Sequence, residues 1–226
     1  MAEVAKFCRA RQAFTHRAKP VPQVALLYST AAHYREINGL FSRDLSRLRG
    51  TLQALVENQQ PVEVLSEHNL TGRMAQYPLI VVPETDDLEP AFKQELVSYV
   101  QGGGNLLLVG PRAAALFAPE LGVTLEGSPQ SEARYLAHDG KLTPTKDQTQ
   151  LAKLGKARAF GQIHATADRN SAAQPAASIA ALGQGKIAAT FFCLSRGYVS
   201  DRSETARAFL GGLVRELFPR PLVQVK

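Results

Sequence analysis

Short apolar runs alternate along the chain with stretches in which apolar residues recur every three or four positions. The runs are typical of buried strands, and the recurring positions are typical of helices with one apolar face. The predicted strands of the first half cover residues 23–28, 62–65, 78–82 and 105–109. Because each crossover helix must bury its apolar stripe against the sheet, this alternation predicts a mostly parallel sheet covered by helices on both faces.

Four helices are predicted to pack against these strands. They cover the stretches around residues 45–56, 92–100, 110–117 and 206–217. Pro61 follows the first and Pro219 follows the last, and proline cannot continue a helix. The acidic segment 84–87 precedes the second helix, and we expect its last carboxylates to cap that helix by accepting free amide hydrogens.

The N-terminal residues are predicted to form a separate helix and connector. Apolar side chains lie on one side of a possible helix over residues 3–17, and the proline-rich segment 19–22 interrupts the pattern. We therefore divide the chain into an N-terminal helix and connector, residues 1–22, and one domain, residues 23–226.

The pattern loosens between residues 121 and 177, where Gly, Pro, Ser, Thr and Gln are frequent. Weak strand patterns occur near residues 134–137 and 157–163, so we expect an insertion that is antiparallel or rich in loops. Beyond it, two further apolar stretches at residues 176–182 and 186–192 predict a hairpin that joins the sheet edge.

Composition places the chain among ordinary globular proteins, since 45% of its 226 residues are hydrophobic and 20% are charged. No run approaches the ~20 consecutive apolar residues of a membrane span, and residues 1–11 lack the apolar block of a signal peptide. We expect a soluble chain with no membrane segment. The sequence does not determine its compartment or whether a longer parent protein is exported. Cys8 and Cys193 lack the CxxC spacing of zinc and thiol redox sites.

The net charge of +6 comes from the N-terminal part of the chain. Residues 1–50 contain nine Lys or Arg and three Asp or Glu, a difference of +6, whereas residues 51–226 contain seventeen of each. The basic residues, Arg43 among them, are scattered and lack the stacking aromatic residues of a nucleic-acid surface. We expect no nucleic-acid partner and interpret the charge as a solvated face or as a contact with an acidic neighbouring domain.

Four segments carry a resemblance to a known family. They are VALLYS at residues 24–29, YPLIVVP at 77–83, YVQGGGNLLLVG at 99–110 and LGQGKI at 182–187. In this order they resemble the class I glutamine amidotransferase-like domain attached to glycoside hydrolases, which is called the trimerisation domain in the beta-galactosidase relatives. The resemblance covers about residues 23–218, nearly the whole chain.

The resemblance implies an α/β fold of the flavodoxin-like, three-layer type. It also makes residues 3–22 similar to the connector that leaves a preceding catalytic barrel, so the chain would be the C-terminal part of a larger glycoside hydrolase. The implied partners are that catalytic domain and further copies of the chain in a homo-oligomer. The trimerisation domain can also stand near the active-site mouth of a neighbouring subunit, which implies an auxiliary role there.

The strand-to-helix turn after residue 109 bears on catalysis. Active amidotransferases of this fold place a cysteine there, in a Gly-x-Cys-x-Gly elbow, where helix-terminus amides lower its pKa. Here the turn reads Gly110-Pro-Arg-Ala-Ala114, with Arg112 where the thiol would stand, give or take one residue. Cys193 follows a strand elsewhere and Cys8 precedes the domain, so we expect no catalytic residue and no amide hydrolysis by this route.

The acidic segment allows two interpretations. Glu84, Asp86 and Asp87 are either a helix cap with a solvated rim or a glycosidase-type set, since glycoside hydrolysis needs two carboxyls a fixed distance apart. The five histidines show no ligand spacing, so no metal site and no cofactor is expected. Gly102-Gly-Gly104 lies between a helix and a strand, whereas phosphate loops follow a strand, and we interpret it as a helix terminator.

The candidate ligand or interface surface lies beyond the carboxyl ends of the parallel strands, where ligands gather in open α/β sheets. Its residues suit sugar hydroxyls, and they are Ser29, His33, Tyr34, Glu84, Asp86, Arg112, Arg196 and Tyr198. Two interpretations stay open: these loops face solvent or a missing catalytic domain, or they contact a saccharide.

Two functions are compatible with these patterns. The first is a non-catalytic assembly or accessory domain of a glycoside hydrolase, in carbohydrate metabolism. The alternative is a small-molecule hydrolase, such as a glycosidase, that uses the acidic residues at the strand ends.

Overall fold

The computed structural model describes residues 2–19, 21–35, 44–145 and 147–222. Within these residues nine strands form one sheet, in the order β2, β1, β3, β4, β11, β10, β9, β6, β7, and β5 pairs with β8 in a second sheet. In chain order the strands are β1 (Val24–Tyr28), β2 (Val62–Ser66), β3 (Leu79–Val82), β4 (Asn105–Leu108), β5 (Val123–Gln130), β6 (Arg134–His138), β7 (Lys141–Thr145), β8 (Thr149–Leu154), β9 (Arg158–His164), β10 (Ala173–Leu182) and β11 (Gly185–Thr190).

The helices include every one that the sequence pattern predicts, together with several short ones that it does not. In chain order they are α1 (Ala2–Thr15), α2 (Thr30–Arg35), α3 (Ser46–Glu57), α4 (Glu67–Leu70), α5 (Pro90–Gln101), α6 (Pro111–Leu116), α7 (Ala118–Leu121), α8 (Ser195–Asp201) and α9 (Glu204–Leu217). Among the helices of the described ranges, none combines the length and the apolar composition needed to cross a membrane.

The first half of the sheet is parallel, as the alternation of strands and helices predicts. In β1, Val24 lies opposite Val62 of β2 and Leu79 of β3, and both pairings are parallel. β4 pairs in the same direction with β3 and with β11. The carboxyl ends of these strands therefore meet along one edge of the sheet.

Helices cover both faces of this sheet, which confirms the predicted three-layer α/β fold. On one face α3, α8 and α9 contribute buried residues such as Leu55 and Phe209 to one apolar cluster. On the other face α5, α6 and α7 bury residues such as Leu96 and Leu121 in a second cluster. The strands between them are buried on both sides, which explains why they are continuous apolar runs in the sequence.

The second half of the sheet is antiparallel, in agreement with the looser sequence pattern there. The predicted hairpin of β10 and β11 joins the parallel strands through β11. It does not form the edge of the sheet, because β9, β6 and β7 continue the sheet beyond β10. The predicted strands near residues 134–137 and 157–163 correspond to β6 and β9, whereas β5, β7 and β8 were not predicted.

The N-terminal helix forms as predicted but buries none of its residues. Phe7 is 57% exposed and Phe14 is 84% exposed, and Val4 is exposed on the same helix. The apolar side of α1 is therefore open to solvent. Pro20 of the predicted connector and Arg43 of the basic N-terminal group lie outside the described residues.

The three consecutive glycines end α5, as interpreted from the sequence. The helix stops at Gln101, Gly102 is its C-terminal cap, and β4 begins at Asn105. Gly103 has a φ angle of 109°, a conformation that side chains other than that of glycine disfavour.

Candidate functional site

Most of the predicted surface residues meet at the carboxyl-end edge of the parallel strands. Ser29 and His33 follow β1, Glu84 follows β3, Arg112 lies in α6 after β4, and Arg196 lies in α8 after β11. The first three of these line one small cavity of about 60 Å³. A cavity of this volume admits water molecules but not a sugar ring.

The sharp turn between β4 and α6 is made by Gly110. Its φ angle is 111°, in the region that favours glycine, and its amide donates a hydrogen bond to Oγ1 of Thr190 at 2.7 Å. The turning residue is therefore Gly110, whereas the resemblance placed the thiol position of active amidotransferases at Arg112, give or take one residue. A Cβ atom at position 110 would overlap the carboxylate of Glu84. A side chain at position 110 therefore has no room beside Glu84.

Glu84 is 5% exposed and lies directly against that turn. Its Oε1 atom accepts a hydrogen bond from the amide of Arg112 at 3.4 Å, and its Oε2 atom is buried without a partner among the described residues. Burial raises the pKa of Glu84 to about 7, against the lowering effect of the charges on Arg47 and Arg112. The neutral form of this carboxyl is therefore substantially populated near neutral pH.

The guanidinium of Arg112 joins two loops over the turn. It donates to Oδ2 of Asp86 at 3.0 Å and to Oε1 of Gln148 at 3.3 Å. Asp86 and Arg112, both predicted surface residues, are thus partners of each other. Gln148 was missed, because it comes from the antiparallel half and no local pattern marks it.

The acidic segment does not cap the next helix, so that prediction is wrong. The N-terminal cap residue of α5 is Glu89, which makes no side-chain cap hydrogen bond. Asp87 instead pairs with Nε of Arg35 at 2.8 Å, and Glu84 is buried. The three acids of the segment therefore have three different environments, which a spacing of one or two residues cannot reveal.

Arg196 is held by acidic residues on two sides. It donates to Oδ2 of Asp44 at 2.8 Å, and its Nε atom lies 3.8 Å from Oδ2 of Asp147. The sequence predicted Arg196 but neither of its partners. The three residues tie the starts of α3, α8 and β8 together at this edge.

Cys193 lies closer to the turn than the sequence suggested. It follows β11, the neighbour of β4, and its thiol is buried. Burial, and then the charges of Glu84 and Asp147, raise the pKa of this thiol. A thiol in this environment stays protonated at neutral pH and is a poor nucleophile.

The remaining predicted residues divide between solvent and core. Tyr34 is 74% exposed, while Nε2 of the neighbouring His33 is buried without a partner among the described residues. Tyr198 is 2% exposed and its hydroxyl donates to Glu57, so its place on a ligand surface was predicted wrongly. Helical spacing on α8 turns this side chain toward α3 and the core.

Glu67 is a further buried carboxylate at the same edge, after β2. Its Oε2 atom accepts hydrogen bonds from the amide and the hydroxyl of Thr30, at 2.9 and 2.7 Å. Although burial raises the pKa of Glu67, hydrogen bonds from Ser29 and Thr30 hold it below its usual value. Glu67 therefore holds the start of α2 in place through hydrogen bonds. Its pKa is lowered, whereas that of Glu84 is raised.

The part of the chain that the structure describes contains no set of side chains suited to bind a metal ion. Within residues 2–19, 21–35, 44–145 and 147–222, no group of three or more His, Cys, Asp or Glu side chains could hold a metal ion.

Comparison with known proteins identifies similar folds at low sequence identity. No family model and no curated protein matches the sequence. The beta-galactosidase from Bacillus circulans sp. alkalophilus has a TM-score of 0.71 and 11% identity, over 100% of this chain and 35% of that enzyme. Gan42B, a GH42 beta-galactosidase from G. stearothermophilus, has a TM-score of 0.68 and 19% identity, over 100% of this chain and 34% of that enzyme.

A glycoside hydrolase named for a different activity has a similar fold. The alpha-L-fucosidase isoenzyme 2 from Paenibacillus thiaminolyticus has a TM-score of 0.70 and 14% identity, over 94% of this chain and 35% of that enzyme. This chain thus spans about a third of the length of the glycoside hydrolases that it resembles.

Proposed function

We propose that this chain is a non-catalytic assembly or accessory domain of a larger glycoside hydrolase. The observation that carries the proposal is the turn at Gly110, where the carboxylate of Glu84 fills the space that a nucleophilic side chain would need. The superposition of the whole chain on about a third of several glycoside hydrolases supports the larger parent. A fold shared with enzymes does not bring their chemistry with it, since function depends on the side chains of the site.

The partners in this proposal are a preceding catalytic domain and further copies of the chain. Residues 1–22 would connect that catalytic domain to the domain formed by residues 23–226. The exposed Phe7 and Phe14 of α1 support such a contact, because a packed neighbour would remove their apolar surface from water. The resemblance to the trimerisation domain supports a homo-oligomer, in which the carboxyl-end loops contact a saccharide or a neighbouring subunit.

The oligomer is tested by size-exclusion chromatography with light scattering on the purified chain. The expected mass is a multiple of the 24.5 kDa of one chain. A variant with Phe7→Ser and Phe14→Ser, compared with an Arg9→Ser control on the same helix, separates assembly through the domain from clustering through α1. A mass of 24.5 kDa at all concentrations would contradict the homo-oligomer.

The proposed catalytic domain is tested first by sequencing the DNA next to the gene for this chain. DNA upstream of the Met1 codon is expected to encode a glycoside hydrolase barrel, in frame or as an adjacent gene. That barrel, produced separately, is expected to bind the chain and to lose affinity with the Phe7→Ser and Phe14→Ser changes. Unrelated upstream genes, together with a strictly monomeric chain, would remove the basis of the proposal.

A second candidate function rests on Glu84 alone. A buried carboxyl whose pKa is about 7 has the property of a general acid, and hydrolytic enzymes obtain such values by burial. A glycosidase would also need a second carboxylate, and Asp86 is already paired with Arg112. The test is turnover of a panel of aryl glycosides and glutamine; this function requires activity that Glu84→Gln or Asp86→Asn abolishes.

A further inference from the structure

A cavity of about 790 Å³ lies where β3 and β4 begin, at the opposite edge of the parallel strands from the Gly110 turn. Its lining comes from α5, from the helical turn Met74–Gln76 with the two residues after it, and from the glycines at positions 102–104. This volume is within the range of about 300 to 1,000 Å³ that is typical of small-molecule sites.

One face of α5 lines this cavity. Its residues recur at spacings of three and four positions, and they are Ala91, Gln94, Glu95, Ser98 and Tyr99. The opposite face is buried in the second apolar cluster and holds the helix against the sheet. The face toward the cavity is therefore available to a ligand.

The aromatic ring of Tyr99 is a fixed part of the lining. Its hydroxyl donates to the carbonyl oxygen of Tyr77 at 2.8 Å and accepts from the amide of Asn105 at 3.1 Å. Gly104 lies directly against the ring, since a Cβ atom at that position would overlap it. Together with Pro78, the ring gives the cavity an apolar surface that does not need to rearrange.

The charge of the cavity is negative. Glu95 is the single charged residue among those that line it. The basic residues nearest in sequence are paired elsewhere, Arg73 with Glu63 and Lys93 with Glu120. The C-terminus of α5, which ends at the cavity, adds the partial negative charge of its carbonyl groups. The cavity therefore favours a cation and disfavours an anion.

The carboxylate of Glu95 is free to bind such a cation. The residue is half-buried, and among the described residues its carboxylate has no ion-pair or hydrogen-bond partner. Its oxygen atoms are not among the unpaired polar atoms that are sealed from solvent, so a ligand in the cavity can reach them.

The spacing of Glu95 and Tyr99 indicates the shape of the ligand. Residues four apart on a helix are neighbours, with Cβ atoms about 5 to 6 Å apart, so a charged group and a ring can reach both from one short molecule. We propose that this cavity binds an arylalkylammonium compound, with its ammonium group on the carboxylate of Glu95 and its aromatic ring against Tyr99 and Pro78. An ammonium group only donates hydrogen bonds, and an ionised carboxylate only accepts them.

This site goes beyond the assembly role proposed above and does not depend on it. The cavity lies within one chain, so a monomer carries the site as well as an oligomer. The result at this cavity is also independent of whether the Gly110 turn is catalytically inactive.

The test is a titration of the full 226-residue chain at pH 7, followed by amide chemical shifts in NMR spectra. The probes share an indole ring and a two-carbon chain: tryptamine carries an ammonium group, tryptophol a hydroxyl and indole-3-propionate a carboxylate. Tryptamine is expected to bind with a Kd on the order of 1 mM, with the largest shifts in residues 72–78 and 91–104. Tryptophol should bind about fivefold more weakly or worse, and indole-3-propionate more weakly still.

Three variants locate the binding. Glu95→Gln is expected to weaken tryptamine binding about fivefold and to leave tryptophol binding unchanged, because only the charge is removed. Glu89→Gln, at an exposed carboxyl before α5 and outside the cavity, is the matched control and should bind tryptamine like the original chain. Ser98→Trp should fill the cavity and weaken the binding of both compounds. Thermal unfolding of every variant shows that it is folded.

Four results would overturn the site. They are the absence of tryptamine-dependent shifts, shifts located outside the cavity, equal binding of the three compounds, and tryptamine binding that Glu95→Gln does not weaken more than Glu89→Gln does. If Ser98→Trp does not fold, the comparison of the two glutamate variants decides the question.

Discussion

The parallel and antiparallel halves of the sheet leave different amounts of space around their buried polar groups. At the Gly110 turn, a buried carboxylate packs against the backbone and the adjacent cavity measures about 60 Å³. Between the small sheet and the antiparallel half of the main sheet, a polar cavity lined by Gln150, Gln174 and Arg134, among others, measures about 260 Å³. The edge where an open α/β sheet ordinarily binds ligands thus has the smaller cavity of the two regions.

Topology therefore determines where a site can form, while side chains determine how much space is left there. In the parallel half, Glu84 closes the turn, and Arg112 with Asp86 and Gln148 covers it. Four substitutions test this contrast.

The largest effect is expected for Gly110→Ala. The positive φ angle and the overlap with Glu84 should together destabilise the chain by about 3 kcal/mol. Gly72→Ala is the matched control, because Gly72 also has a positive φ angle but open space around it, and about 1 kcal/mol is expected there. Equilibrium unfolding in urea measures the free energy of unfolding of both variants.

Equal effects of the two glycine substitutions would show that Glu84 does not fill the turn. A double variant, Gly110→Ala with Glu84→Ala, sharpens the result. If the overlap with the carboxylate causes the destabilisation by Gly110→Ala, the double variant should recover part of the lost free energy of unfolding.

The pH dependence of stability tests the burial of Glu84. Its pKa is raised to about 7 in the folded chain, so the folded state binds the proton more tightly than the unfolded state does. The contribution of this group to stability therefore falls as pH rises from about 5 through 7, by up to about 3 kcal/mol. Glu84→Gln should remove this fall and make the chain more stable than the original at pH 8.

The control for this series is Glu95→Gln, the same substitution at a carboxyl of α5. Urea unfolding at pH 5, 6, 7 and 8 provides the measurement. Parallel profiles for the original chain and Glu84→Gln would mean that Glu84 titrates as an exposed carboxyl.

A smaller effect is expected at the cavity between the two sheets. Gln174→Leu removes an Oε1 atom that is buried without a partner among the described residues and puts an apolar side chain of similar size in its place, so it should stabilise the chain by about 1 kcal/mol. Gln162→Leu, at an exposed glutamine of β9 outside that cavity, should change the free energy of unfolding by less than about 0.5 kcal/mol. Destabilisation by Gln174→Leu would indicate that this amide already has a partner within the chain.

The smallest effect is expected for Asp86→Asn, which removes the ion pair with Arg112. Both side chains are partly exposed, and such pairs contribute about 0.5 kcal/mol or less. The difference from the original chain should shrink further in 1 M NaCl, because salt screens exposed charges. A loss above about 2 kcal/mol would show that Arg112 and Asp86 hold the turn closed, in place of Glu84.

The parallel strands could be predicted from the sequence because burial on both faces makes them continuous apolar runs. β1, β3 and β4 are recognisable in this way within one or two residues of their ends. The antiparallel strands are harder, since they mix exposed and buried residues and the pairing of β5 with β8 shifts register between Glu126 and Gln130. A shifted register breaks the alternation on which strand prediction depends.

Both regions depend on contacts between distant parts of the chain, which no local pattern contains. Glu84 fills the space at Gly110, and Arg112 binds Gln148. The cavity between the two sheets combines residues from position 126 to position 174. The sequence could thus name Glu84, Asp86 and Arg112 as candidates, but it could not show that they close the turn.

The most direct test of the central claim is intact-mass spectrometry of the chain after incubation with two trapping reagents. One is an electrophilic glutamine analogue, which labels amidotransferase thiols, and the other is a 2-fluoro glycoside, which labels glycosidase carboxylates. Cys8 is exposed and would react nonspecifically, so the experiment uses a Cys8→Ser variant. An inert, filled turn predicts an unchanged mass with both reagents, whereas a stoichiometric adduct at Cys193 or Glu84 would contradict it.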